Sequence, residues 1–175
     1  MSGYSAAQAR YADLRRQAYA SSVEDLRPIL GVDLTIRDWG ARASHGYKAW
    51  EGRSPSTRHW DWDAIHARHT DADRLPLAVY GPDDDLWIAG LGLTTAQAVV
   101  LRFLEGTPDA ACPIRSKRAL VALDVATRYA QALDKTELRV QPLNSGLEAF
   151  YRDRLGFTLV EPDGGEAYFR RELDR

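Results

Sequence analysis

Residues with the types and spacing to do chemistry fall in two main groups along this 175-residue chain. In the stretch Cys112-Pro113-Ile114-Arg115-Ser116-Lys117-Arg118-Ala119, three cations stand where a helix is predicted to begin. A helix N-terminus favours anions and disfavours cations by a few tenths to about 1 kcal/mol each, so the arrangement is unfavourable until a polyanion sits on it. Arginine forks match phosphate oxygens, which makes Arg115, Lys117 and Arg118 candidate polyphosphate ligands; a solvated basic turn is the alternative. In Trp60-Asp61-Trp62-Asp63, carboxylates alternate with indoles. That pattern suits a cationic amine held against an aromatic wall, and it also suits the start of a helix.

Two other groups carry less. His66 and His69 lie one turn apart on a possible helix, with His59 nearby, but no third ligand stands at a metal-binding spacing and no metal site is expected. Cys112 is the single cysteine. It precedes a proline and has no Cys-His motif around it, so covalent cysteine catalysis is not expected, and an intramolecular disulfide is excluded.

The elements that must position these residues follow from periodicity. Ser5 and Gln8 stand at capping-box spacing, and Tyr11, Leu14 and Ala18 recur at helical intervals with Arg10, Arg15 and Arg16 outward, which predicts a first helix. From Leu34 to Ala72 the pattern is unclear, and four tryptophans (Trp39, Trp50, Trp60 and Trp62) crowd the region. The chain to about residue 72 is taken as an N-terminal helical region. Strand signals then run through Leu77–Tyr80, cross Gly81-Pro82-Asp83, continue through Leu86–Leu93 and return as Ala98–Glu105, an antiparallel meander. Ala119–Leu133 reads as a helix with Leu120, Leu123, Ala130 and Leu133 on one face and Asp124 one turn before Arg128 on another.

The segment Glu137–Val160 adds a compact unit. Leu138 and Val140 alternate with polar residues as a short strand, which Pro142 ends by removing a ladder donor. Ser145 and Glu148 are spaced as a capping box, Leu147, Phe150 and Tyr151 lie close on one helical face, and Gly156 can take the left-handed conformation that stops the helix. A hairpin with Ala167–Leu173 closes the chain.

Three meander strands, a helix, a strand, a helix and a hairpin make the order of the GNAT N-acetyltransferase superfamily, and residues from about Trp60 onward resemble it. The WDWDAI, LAVYGPDDDLWIAGLGL and VVLRFLEG segments resemble a bacterial subgroup of that superfamily, a likeness that carries no substrate. The resemblance implies an α/β fold: a single GNAT-like domain over residues 1–175, with a mixed, mostly antiparallel sheet splayed at the cofactor site and flanked by helices. It implies acetyl-CoA as cofactor. In the family an Asn after the fifth strand and a Tyr seven residues on face that cofactor; here these are Asn144 and Tyr151.

One departure stands out. The family's pyrophosphate loop usually reads R/Q-x-x-G-x-G/A, and here Arg115 and Lys117 occupy the glycine positions, where a Cβ restricts close approach of backbone amides to phosphate. The resemblance therefore implies a side-chain-assisted cofactor site built from Arg115, Ser116, Lys117, Arg118 and Ala119. The pantetheine arm would pair with the backbone of Phe103, Leu104 and Glu105 near Gly106. Tyr151 would act as the acid at the leaving thiolate, and Glu105 would take the amine proton. Trp60, Asp61, Trp62 and Asp63 would shape the acceptor pocket.

A formal charge of −2 without a long like-charged run indicates neither a nucleic-acid stripe nor a polybasic membrane patch. No apolar run approaches the roughly 20 residues of a membrane span, and a cytoplasmic location is expected. The expected function is transfer of an acetyl group from acetyl-CoA to a primary amine, in a small molecule or a peptide, by direct attack. Two alternatives stay open: a catalytically weak or inactive GNAT-like binding domain, favoured by the missing glycines, and a toxin-like GNAT acting on aminoacyl-tRNA, disfavoured by the charge. A homodimer is an open partner mode.

Overall fold

The computed structural model describes residues 3–50, 60–141 and 145–174. Helix α1 (Gly3–Leu30) leads into strand β1 (Thr35–Arg37), and two short helices follow, α2 (Ala41–Lys48) and α3 (Trp62–Arg68). The predicted meander is β2 (Leu75–Tyr80), β3 (Leu86–Thr94) and β4 (Ala98–Gly106). A 3-10 turn, Arg115–Lys117, opens α4 (Arg118–Ala132), after which come β5 (Glu137–Val140), α5 (Ser145–Leu155), β6 (Thr158–Val160) and β7 (Tyr168–Glu172). The strands form one sheet of order β1-β2-β3-β4-β5-β7-β6. Among the described residues β4 and β5 are its parallel pair, and the other neighbours run antiparallel.

Alternation along the strands feeds two cores on opposite faces. Leu75, Leu77 and Val79 of β2, with Ile88 and Val99, pack beneath α1 and α4. Ala78, Tyr80, Ala89 and Leu91 pack beneath α2 and α3, where Tyr47, Trp50 and Trp62 are buried. β2 begins two residues earlier than its sequence suggests and contains Pro76. β1 reaches only Ala78 to Tyr80, so the proline lies beyond its neighbour on that side and its missing N–H costs no ladder bond there.

Three expectations for the N-terminal region change. Ser5 lies inside α1, two residues after the helix starts, and is not its cap. The region to residue 72 is not helical throughout, because β1 adds an edge strand too short to show an alternation of its own. Arg15 is buried, not outward: its Nε and Nη2 donate to the Asp38 carboxylate, and Nη1 donates to the carbonyls of Ala72 and Arg74. The Tyr19 hydroxyl donates to the same carboxylate at 2.8 Å and also contacts the Pro76 carbonyl. A buried cation with every side of its fork engaged escapes the penalty of an unpaired one, so this network can clamp α1 onto the sheet.

The feature that organises the site is a break in β4. Leu91 pairs with Phe103 and the next residue, Gly92, with Leu101, so Arg102 has no partner on β3. The extra residue reverses the parity of the strand. Val99 and Leu101 belong to the α1/α4 core, and past the bulge it is Leu104 that packs there while Phe103 packs on the α2/α3 side. Unbroken alternation would place Phe103 and Glu105 with Val99.

Candidate active site

β4 and β5 pair through Leu101 and Val140 and then part. From Phe103 to Gly106, β4 keeps β3 on one side and, among the described residues, has no strand on the other, which leaves a strand edge open to an extended ligand. A cleft of about 480 Å³ occupies the gap. Leu101, Leu104 and Gly106 form one wall, Val140, Phe150 and Tyr151 the other, and Arg115, Ser116, Arg118 and Ala119 close the end at the start of α4.

Tyr151 is held from three directions. Its ring centroid lies 5.7 Å from that of Phe157 and 5.8 Å from that of Phe169, and only 3% of the residue is exposed. Gly156, at φ 68°, turns the chain at the end of α5 so that the Phe157 amide donates to the Tyr151 carbonyl at 3.0 Å. The predicted glycine stop thus fixes the tyrosine as well as ending the helix. Burial raises the phenol above its ordinary pKa, so it keeps its proton across the neutral range.

The basic triplet divides its work. Lys117 Nζ donates to the Ile29 carbonyl at 3.0 Å, in the last turn of α1, and does not line the cleft. A cation there complements the negative end of α1, which relieves part of the penalty expected from three cations at the start of α4. Arg118 folds over Gly106, where a Cβ would fall 2.3 Å from the arginine Cδ, and its Nη2 donates to the Thr107 carbonyl at 2.6 Å. A side chain at Gly106 would therefore displace this guanidinium, at a position the motif comparison did not single out. Arg115 remains exposed at the cleft end. The Arg115 and Lys117 amides donate to the carbonyls of Cys112 and Ile114, so these two are spent inside the turn.

On the opposite face, the bulge brings Glu105 to the aromatic cluster. Trp62 Nε1 donates to Glu105 Oε2 at 2.6 Å. Trp62 is fully buried, stacks at 5.7 Å on Trp39, and meets Trp60 edge to face at 5.6 Å, and Trp60 in turn meets Phe103 at 5.2 Å. The two aspartates have structural partners. Asp61 caps α3 by accepting from the Ala64 amide at 3.0 Å. Asp63 accepts from Ser44 Oγ at 2.6 Å and Trp39 Nε1 at 3.3 Å, with Lys48 Nζ 3.3 Å away. Burial acts to raise the Asp63 carboxyl, but these hydrogen bonds and the ammonium outweigh it and hold the pKa below its ordinary value.

The structure thus gathers Leu104, Arg115, Ser116, Arg118, Ala119 and Tyr151 around one cleft. Phe103, Glu105, Trp60 and Trp62 lie together on the other face, and Lys117 belongs to neither group. Asn144 and His59 fall outside the described residues, as does the side chain of Ser145. Sequence reasoning missed Arg102 and Gln141, which line the cleft, and weighed His66 only as a metal ligand, whereas it stacks on Trp39 at 4.5 Å. A signal for the first existed: in Val99-Val100-Leu101-Arg102-Phe103-Leu104, an alternation of buried aliphatics slips by one residue at Arg102. Among the described residues no group of metal-ligating side chains is assembled, and no helix is long and apolar enough to cross a membrane.

No family model matches the chain, and no curated protein matches it in sequence. Solved structures do match. A GNAT-family acetyltransferase from Staphylococcus aureus Mu50 aligns with a TM-score of 0.59 over 81% of this chain and 99% of that one, at 10% identity. The ribosomal-protein-S18-alanine N-acetyltransferase from Escherichia coli aligns at 0.57, with 80% and 92% covered and 15% identity. A GNAT-family acetyltransferase from Listeria monocytogenes 4b F2365 aligns at 0.57, with 82% and 96% covered and 16% identity. The bulged β4, its parting from β5 and the helix that opens beside the gap thus lie in a chain with the GNAT acetyltransferase fold.

Proposed function

We propose that this protein transfers an acyl group from a coenzyme A thioester, with acetyl-CoA the donor that the fold implies, to a primary amine by direct attack. The observation that carries the reading is the parting of β4 from β5 beyond Leu101 and Val140, with Arg115 at one end of the resulting cleft and Tyr151 in its wall.

Each residue has a definable part. Arg115, with Ser116, Ala119 and the first turn of α4, would hold the diphosphate, and Arg118, already bonded to Thr107, would shape the floor beneath it. The open edge of β4 at Phe103, Leu104 and Glu105 would pair with the amides of the pantetheine arm, and Asn144 would face the cofactor as the family resemblance implies. Glu105 would accept the proton that the amine nitrogen releases as that nitrogen bonds to the thioester carbonyl carbon. Tyr151 would donate its phenolic proton to the sulfur as the carbon–sulfur bond breaks, and it recovers a proton from water afterwards. Trp60 would wall the acceptor side with the buried Trp62 behind it, and Asp61 at the rim would attract a cationic amine.

A non-catalytic coenzyme A-binding protein is the second reading. It is favoured by the absence of both loop glycines and by the use of the Arg115 and Lys117 amides inside their own turn. Calorimetric titration with coenzyme A, followed by turnover of acetyl-CoA with a panel of amines, separates the two. Binding with turnover supports transfer, binding alone supports the second reading, and failure to bind removes both.

A further inference from the structure

Arg102 and Gln141 are the first residues beyond the last rung that joins β4 to β5. They meet across the gap, where Arg102 Nη1 donates to Gln141 Oε1 at 2.9 Å. The bulge frees Arg102 from pairing with β3, and the Gln141 amide is turned so that its nitrogen donates to Glu166 Oε2 at 3.3 Å and its oxygen faces the guanidinium. A guanidinium offers five donors, and this bond uses one. Among the described residues no carboxylate pairs with Arg102, whereas Arg139, on the neighbouring strand, is paired with Glu137 at 2.7 Å. An uncompensated cation therefore stands at the narrow end of a cleft whose other lining there, Leu101 and Val140, is apolar.

The position of that cation has a chemical meaning if the cleft takes a coenzyme A thioester, and the inference rests on that reading. From Gly106, beside Arg115, back to Arg102 the strand advances four residues, about 13 Å at roughly 3.3 Å each. A pantetheine arm laid along this edge with its diphosphate at Arg115 brings its acyl end to the narrow part of the cleft. An acetyl methyl gains nothing from a guanidinium. A carboxylate gains a charge-assisted, fork-shaped contact with this guanidinium, which is exposed at the mouth of the parted strands.

We propose that the acyl donor is a dicarboxylic monothioester of coenzyme A, whose free carboxylate is bound by Arg102, with Gln141 holding the guanidinium across the vertex of the parted strands. Calorimetric titration of the full chain with succinyl-CoA, acetyl-CoA and free coenzyme A tests this without any acceptor. The expected result is binding of succinyl-CoA up to about fivefold tighter than acetyl-CoA, an advantage that disappears in Arg102→Gln and survives in part in Arg102→Lys. Coenzyme A affinity should be the same in all three proteins, since Arg102 lies at the far end from the phosphates. Equal affinity of the wild type for both thioesters overturns the proposal, as does a succinyl preference that persists in Arg102→Gln. Failure of free coenzyme A to bind overturns the thioester reading itself, and the two failures are thereby told apart.

Discussion

The indole nitrogen of Trp62 stands 2.6 Å from Oε2 of Glu105, which ties a fully buried residue in the first turn of α3 to the carboxylate at the end of β4. The contact exists because the bulge at Arg102 turns Glu105 toward the α2/α3 side. A donor on one oxygen helps to fix the carboxylate's orientation. Trp62→Phe keeps a ring in the stack and removes the donor. Loss of a hydrogen bond to a charged group predicts a fall in stability of about 1.5–3 kcal/mol, read by urea unfolding. In turnover assays Trp62→Phe with Glu105→Gln should be no slower than Glu105→Gln alone, because the indole acts through the carboxylate. Additive losses would show that the indole acts independently.

Arg115 and Lys117 are two residues apart and are predicted to fail differently. Arg115→Ala should weaken coenzyme A binding by about tenfold, the worth of a charge-assisted contact to phosphate, and leave the unfolding midpoint unchanged. Lys117→Ala should leave binding unchanged and cost at most about 1 kcal/mol of stability, because its ammonium serves the C-terminal turn of α1 and is largely solvated. Titration and urea unfolding of both variants check the pair. Equal losses of affinity would place Lys117 in the cleft after all.

His66 gives a pH dependence with a definite sign. The ring is 7% exposed and stacks on Trp39, and neither of its nitrogens has a hydrogen-bond partner among the described residues. Burial and then the nearby Arg74 lower its pKa from 6.5 to about 4, with His69 acting the same way and Asp63 and Asp38 opposing. The folded state thus resists protonation that the unfolded chain accepts. Stability from this residue is fully present above about pH 6.5, falls as the pH drops, and levels off below about 4. The slope within the window approaches 1.4 kcal/mol per pH unit. Urea unfolding at pH 7 and pH 5 should show the loss, and His66→Phe should flatten it. An unchanged difference in the variant would assign the dependence to other groups.

Legibility in the sequence followed length and local completeness. The meander, α4 and the strand-helix-glycine unit ending at Gly156 were readable because each carries its own periodicity and its own stop signal. β1 was not, since three residues cannot show an alternation, and α2 was hidden because its buried face is only Ala43 and Tyr47. Arg15 defied its type: an outward arginine and a buried one look alike until Asp38, 23 residues on, is known to meet it. The candidate site was half legible. Arg115 and Glu105 are marked by their places at element ends and Tyr151 by its place on the apolar face of a helix, whereas the partition of Lys117 to α1 and the contact of Arg102 with Gln141 are long-range facts with no local trace. The aspartates of the WDWD segment were ambiguous for a related reason, since an acidic residue before a helix reads equally as a ligand or as a cap, and Asp61 does cap α3.

Tyr151 carries the most direct test of chemistry. Its ring packs against Phe150, Phe157 and Phe169, its backbone closes the end of α5, and it lines the cleft opposite Leu104. Tyr151→Phe preserves all of those contacts and removes only the hydroxyl. If the phenol protonates the departing thiolate, turnover should fall by about 10²–10⁴-fold while coenzyme A affinity and the unfolding midpoint change little. Because burial raises its pKa, the wild-type rate should show no decline from Tyr151 ionisation across the neutral range, and any limb that the variant retains must belong to other groups. Steady-state rates across pH 6–10 for both proteins, with titration and urea unfolding alongside, check each part. A variant that turns over at the wild-type rate would leave Tyr151 with the packing role its three aromatic neighbours already give it.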